Sequence, residues 1–171
     1  MQMLAAGGVP VLTDGERAAD SDNPRGYYEW ERIKRLAQDP ACIADAEGKA
    51  VKVVSQLLFA LPGGRDYRII FMQRPLLEVV ASQAEMIRRR GTAGAPLEGA
   101  GLVAALQAHL NQLNAWLERQ PHLAVCRVEY HQVLRQPSEA AGTVRHFLNL
   151  PLDTDAMALQ VDPSLYRQHR P

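Results

Sequence analysis

Residues 67–82 read YRIIFMQRPLLEVVAS, and the change of period inside this stretch decides the fold. Arg68-Ile-Ile-Phe-Met72 is a short apolar run rich in β-branched and aromatic residues, as expected of a strand buried on both faces. A helical pattern follows at once. Pro75 suits a first helical turn, Glu78 complements the positive end of the helix, Arg88, Arg89 and Arg90 fall in the last turn, and Gly91 marks the stop. A strand that runs straight into a helix is the elementary unit of a parallel sheet.

The flanking sequence repeats this alternation. Residues 9–12 (VPVL), 50–54 (AVKVV) and 125–128 (VCRV) read as three more strands, the first bracketed by Gly7-Gly8 and Thr13-Asp-Gly15. Helices are predicted over 28–38, which ends before Asp39-Pro40, and over 102–119, 138–148 and 155–161. Leu102, Leu106, Leu110, Leu113 and Leu117 recur at steps of three and four, so one face of the 102–119 helix should be buried. On the 75–90 helix, Leu76, Val79, Val80, Gln83 and Ile87 form the expected buried stripe, with Ser82, Glu78, Glu85 and Arg89 on the other side. Residues 20–26 (DSDNPRG) form a polar turn, and the Gly/Ala/Pro-rich residues 91–101 a mobile loop between two long helices. No repeat or second domain is visible. The expected architecture is one α/β domain over residues 1–171, in three layers with a mostly parallel sheet.

Composition narrows the function. The 171 residues hold 19 Lys plus Arg against 19 Asp plus Glu, so the basic excess of a protein that grips duplex DNA is missing. A small anionic ligand stays open, since it needs only two or three placed cations. Cys42 and Cys126 match no metal-ligand spacing and are too few for a disulfide scaffold, which fits a reducing cytoplasmic setting. The five histidines pair neither with cysteine nor with a nearby Glu at i,i+4, so no metal is expected. The opening residues lack the basic and apolar regions of a secretory leader. The most apolar tract, 51–61, carries Lys52, Ser55 and Gln56 and is too short to span a bilayer. A soluble chain is expected.

Some residues sit where chemistry could occur. Arg74 follows the 68–72 strand directly, at the carboxyl edge where open α/β sheets bind ligands. A cation beside a helix N-terminus is disfavoured unless an anion lies between them; the plain alternative is a surface arginine paired with Glu78. Ser82, eight residues on, is available to a ligand lying along the helix, or bonds its own i−4 carbonyl. Lys52 interrupts an apolar strand, either as a functional cation or as an edge guard. Tyr130, at the end of another strand, could stack on a base or cap the core. Tyr27, Tyr28 and Trp30 concentrate aromatic area, as a substrate wall or as a helix staple. There is no GxxxxGK[ST], dinucleotide fingerprint or Ser/His/Asp order.

Taken together, residues 67–82 resemble the strand-then-helix element of the sulfotransferases that use 3′-phosphoadenosine 5′-phosphosulfate (PAPS) on a P-loop NTPase-like fold. In that family an Arg and a Ser eight residues apart hold the 3′-phosphate, so the resemblance implies this role for Arg74 and Ser82. Residues 51–62 are similar to the preceding strand. Residues 128–137 (VEYHQVLRQP) resemble the stretch in which a tyrosine approaches the adenine, here Tyr130. Residues 22–29 and 161–167 look like loops of a bacterial-type branch. The implied function is sulfuryl transfer from PAPS to a hydroxyl or amine of a small-molecule or carbohydrate-type acceptor, without metal, nucleic acid or membrane span. Tyr27, Tyr28 and Trp30 would border the acceptor, and Lys52 is the candidate for a cation on the catalytic side.

The chain departs from the pattern in two places. No Gly- and Ser/Thr-rich basic loop, the family's 5′-phosphosulfate cradle, is visible, and residues 1–8 look like the end of the helix that follows it. No histidine follows Lys52, so no catalytic base is assigned. An N-terminally shortened domain is therefore expected. The alternative function is an inactive nucleotide-binding or interaction module, whose unpaired strand edges would favour association between copies.

Overall fold

The strongest sequence pattern forms the best-defined element. The structure is a computed structural model that describes residues 1–20, 23–90 and 99–166, apart from the Arg90 side chain. Strands β1 (Tyr67–Gln73) and β2 (Leu123–Glu129) make a two-stranded parallel sheet, in register from Tyr67 opposite Leu123 to Gln73 opposite Glu129. The helices are α1 (Gln2–Ala6), α2 (Leu76–Arg90), α3 (Gly99–Leu117), α4 (Tyr130–Arg135), α5 (Pro137–Leu148) and α6 (Thr154–Ala158). Four 3₁₀ turns complete the described residues, at Glu31–Arg35, Pro40–Ala46, Ser55–Ala60 and Pro163–Leu165. The chain is thus α/β with a parallel sheet.

Strand alternation explains how the sheet is covered. Side chains one apart point to opposite faces. Ile70, Cys126 and Val128 turn to a cluster built on Val133, Ala140, Ala141, Val144, Leu152 and Met157, joined by Met3 and Leu4 of α1. Ile69, Phe71 and Val125 turn the other way, to Leu58 and to Leu113 and Leu117 of α3. Helices therefore lie on both faces of the ladder. A third cluster gathers Trp30, Ile33, Leu36, Cys42 and Ile43 under residues 51 and 53.

Several expectations are corrected. The segments at 9–12 and 50–54 run parallel but meet only at a bridge between Val11 and Ala50, held by Leu12 N–H to Ala50 O (2.9 Å) and Ala50 N–H to Pro10 O (2.8 Å). Pro10 lacks the N–H that a ladder needs. The predicted helix over 28–38 shrinks to the 3₁₀ turn Glu31–Arg35; Tyr28 at φ 51° and Trp30 at φ −127°, ψ 108° both lie outside the right-handed helical region. Residues 99–101 open α3 rather than lying in a loop; the rest of the predicted 91–101 loop lies outside the described residues. So do Asp22 and Arg167 of the two loops noted in the sequence.

On α2 the burial departs from expectation at Gln83 and Glu78. Gln83 is exposed, Leu76, Val79, Val80 and Ile87 are half-buried, and the buried residue is Glu78, 4% exposed. None of the three hydrophobic clusters includes a residue of α2. Among the described residues α2 packs against α3 with its stripe only half-buried, and its one buried side chain makes a polar contact.

Candidate functional site

The register of the sheet assembles the site. Gln73 is opposite Glu129, so the residues that leave the two carboxyl ends, Arg74 and Tyr130, come side by side. The Arg74 guanidinium carbon lies 4.9 Å from the centroid of the Tyr130 ring and 5.4 Å from that of Tyr166. The two rings meet edge to face at 5.8 Å. With their centroids only 5.8 Å apart, the two rings do not sandwich the guanidinium from opposite faces.

One helical turn along, Glu78 anchors the cluster. Arg74 Nε donates to Glu78 Oε2 at 3.0 Å, and His131 Nε2 lies 3.0 Å from the same oxygen. The Tyr166 hydroxyl also bonds this carboxylate. Burial pushes the Glu78 acid up, but the bonds from Arg74, His131 and Tyr166 together outweigh it and hold the group below its ordinary value. Burial raises the Tyr166 phenol, with Glu78 adding to the effect. The plain alternative for Arg74, pairing with Glu78, is therefore present. It occupies only Nε: among the described residues Arg74 makes no other hydrogen bond, and Nη1 and Nη2 have no acceptor. Ser82 sits one turn beyond Glu78, half-buried, and its hydroxyl does not bond the Glu78 carbonyl.

Lys52 belongs to a second cluster. Its Nζ donates to the Tyr27 carbonyl at 3.1 Å and to Glu29 Oε1 at 3.4 Å. Glu29 also receives Arg17 and Lys34, each at 3.1 Å. Burial raises the Glu29 acid, but the lysine contacts leave it below its ordinary value. The Arg17 guanidinium stacks on Tyr27 at 3.2 Å, and the Tyr27 hydroxyl bonds Asp20 at 2.7 Å. The amino group of Met1 is lowered by burial first and by Lys52 second, so it lies in the same electropositive neighbourhood. Tyr28 is half-buried, and Trp30, 9% exposed, packs in the Ile33–Leu36–Cys42 cluster. Arg25 ties the two loops noted in the sequence together, bonding Gln160 O at 2.7 Å and Asp162 at 3.0 Å.

The structure thus joins Arg74 with Tyr130 and Lys52 with Tyr27. Glu78, His131 and Tyr166 carry no site role in the sequence reading, which put Glu78 on a solvated face. The i,i+4 spacing of Arg74 and Glu78 was the available signal; His131 and Tyr166 arrive from distant elements. A further pair absent from the sequence reading is Ser55 Oγ with His109 Nε2 at 2.9 Å, next to Phe59. Among the described residues no carboxylate orients that imidazole, and no three His, Cys, Asp or Glu gather as a metal-holding group. No helix among them is long and apolar enough to cross a membrane. Two open recesses, of about 400 and 420 Å³, are lined by residues around Arg145 and around Trp30 and do not include Arg74.

Neither a scan of protein-family models nor searches of the curated proteins and of the solved structures finds a match for this chain. Fold and geometry define a class only: an α/β chain whose parallel sheet ends in an arginine held by a buried carboxylate against two tyrosines.

Proposed function

We propose that this chain is a sulfotransferase-like domain on a P-loop NTPase-like fold, which binds PAPS and transfers its sulfuryl group to a hydroxyl or amine of a small-molecule or carbohydrate-type acceptor. The observation that carries the reading is Arg74 at the carboxyl end of β1, with its outer nitrogens unpaired among the described residues, beside Tyr130. A guanidinium fork of this kind matches a phosphate bidentately, which suits the nucleotide's 3′-phosphate. Ser82 adds a hydroxyl on the same helix, and Tyr130 an aromatic face for adenine. Lys52 supplies a cation on the catalytic side, and Tyr27, Tyr28 and Trp30 border the acceptor.

In the reaction an acceptor oxygen or nitrogen bonds to sulfur and loses its proton. The bond from sulfur to the 5′-phosphate oxygen breaks, and adenosine 3′,5′-bisphosphate leaves with that electron pair. Protein groups act mainly by positioning and by stabilising the leaving oxygen. Arg74 and Ser82 contribute binding; no base is assigned. The test is calorimetry with adenosine 3′,5′-bisphosphate. Arg74→Ala is expected to abolish binding, and unchanged affinity would remove the basis of the assignment.

A second reading, a nucleotide-binding or interaction module without turnover, is favoured by the unpaired outer edge of β1 among the described residues. Incubation with radiolabelled PAPS and a panel of hydroxyl and amine acceptors separates the two. Labelled product supports the enzyme, and nucleotide binding without product supports the module.

A further inference from the structure

We propose that Glu78 is the positioning residue of the Arg74 site: its buried carboxylate locks the guanidinium so that Nη1 and Nη2 present a fixed fork to a phosphomonoester. The inference rests on the reading of Arg74 as an anion-binding residue and adds a role that neither motif nor resemblance assigns.

The argument starts from a conflict of sign. A carboxylate within one helical turn of an anion site repels the anion, so on charge alone Glu78 weakens binding. Yet Glu78 is the buried charged residue of the described core, 4% exposed, and three donors from three parts of the chain converge on it. Arg74 comes from the β1–α2 junction, His131 from α4, and Tyr166 from just past the turn Pro163–Leu165. Burying a carboxylate is costly unless it is fully engaged. Among the described residues Oε1 is buried without a hydrogen-bond partner, so the engagement falls on Oε2 and on the arginine's inner edge: Nε is taken by Glu78, while Tyr130 and Tyr166 hold one side of the guanidinium. The rotamer freedom of a long side chain is then removed before the ligand arrives, and binding does not carry that ordering cost. The donors left over, Nη1 and Nη2, are the pair that matches two oxygens of one phosphate.

The sign conflict supplies the test, run by calorimetry on the full chain with adenosine 3′,5′-bisphosphate, and with adenosine 5′-monophosphate as the probe lacking the 3′-phosphate. Glu78→Ala removes charge and anchor together. A positioning residue predicts weaker binding of the bisphosphate, by roughly three- to tenfold for one released long side chain, even though a repulsive charge is gone. Glu78→Gln keeps an acceptor oxygen for Nε and drops the charge, so it should rescue affinity to the parental level or tighter. The monophosphate should be indifferent to both changes. In nitrogen-detected spectra the Arg74 Nε–H should exchange slowly in the parent and in Glu78→Gln, and rapidly in Glu78→Ala.

If both variants bind the bisphosphate more tightly than the parent, Glu78 is only a nearby charge and the proposal is overturned. If Arg74→Ala binds as the parent does, the functional reading itself falls; loss of binding in Arg74→Ala with parental affinity in Glu78→Ala removes the positioning role alone. Should Glu78→Ala fail to fold, Arg74→Lys decides the matter. It keeps the charge and loses the fork, so loss of affinity supports the proposal and parental affinity overturns it.

Discussion

Glu78 shows what a single residue can set in this molecule. Its acid is held below the ordinary value of 4.5, with burial opposing the shift and the bonds from Arg74, His131 and Tyr166 producing it. A carboxylate whose folded pKa is depressed stabilises the native state above its unfolded pKa, and this contribution fades as pH falls through the folded value. Urea unfolding of the parent and of Glu78→Gln should therefore differ at pH 7, with the parent more stable. The gap should close as pH drops below about 4.5. A gap that is constant down to pH 3 would show that the carboxylate's charge contributes nothing to folding. Asp14, Glu29 and Asp162 are also depressed, so the difference between the two proteins, rather than either curve, isolates Glu78. The sequence exposed half of this contact. Arg74 and Glu78 are one turn apart and predict their own pairing, but burial of the pair depends on His131 and Tyr166, whose approach no local pattern encodes.

Among the elements, the legible ones are those whose period and burial agree. β1 and β2 appear where the apolar runs put them, each one or two residues longer at the ends. The leucine spacing of α3 gave the right helix, yet only Leu113 and Leu117 are buried while Leu102, Leu106 and Leu110 are half-exposed. Periodicity names the face of a helix and not how far the neighbouring layer extends. Leu113, with no exposed surface, packs with Leu58, Leu117 and Leu123. Leu113→Ala should cost about 2–5 kcal/mol and Leu106→Ala clearly less, read as shifts of the urea midpoint. Equal costs would mean that the α3 contact with the sheet is not confined to its C-terminal half. α2 departs from its pattern for the complementary reason: its stripe is half-buried, but none of the described hydrophobic clusters includes it, and the fully buried position goes to Glu78. Residues 50–54 fail as a full strand because, among the described residues, their backbone partner, the segment holding Pro10, supplies a single bridge. Lys52 then takes the carbonyl of Tyr27 and the Glu29 carboxylate.

At the scale of the whole molecule, β1 poses a mismatch between sequence and surroundings. Ile69, Ile70, Phe71 and Met72 make a run suited to a strand enclosed by neighbours, yet no residue of β1 is fully buried and Met72 is 49% exposed. Among the described residues β2 is its one ladder partner, so the groups on the other edge can template a further strand. Nothing in the overall charge opposes this. Nineteen cations balance nineteen anions, and a protein near zero net charge lacks the mutual repulsion that keeps copies apart. The expected consequence is concentration-dependent association through β1, visible as a rising mass in size exclusion with light scattering. Met72→Lys places a charge on that edge at a position already half exposed, where it should leave the fold intact and hold the chain monomeric. A parent that stays monomeric across the accessible concentrations would show that the edge is shielded. Association that persists unchanged in Met72→Lys would place the contact elsewhere, with exposed Leu77 and Leu159 the next surfaces to substitute. Combined with the calorimetry on Arg74, this measurement separates a nucleotide site that works in a single copy from one that functions only in an assembled form: affinity independent of protein concentration marks the first, affinity that rises with association the second.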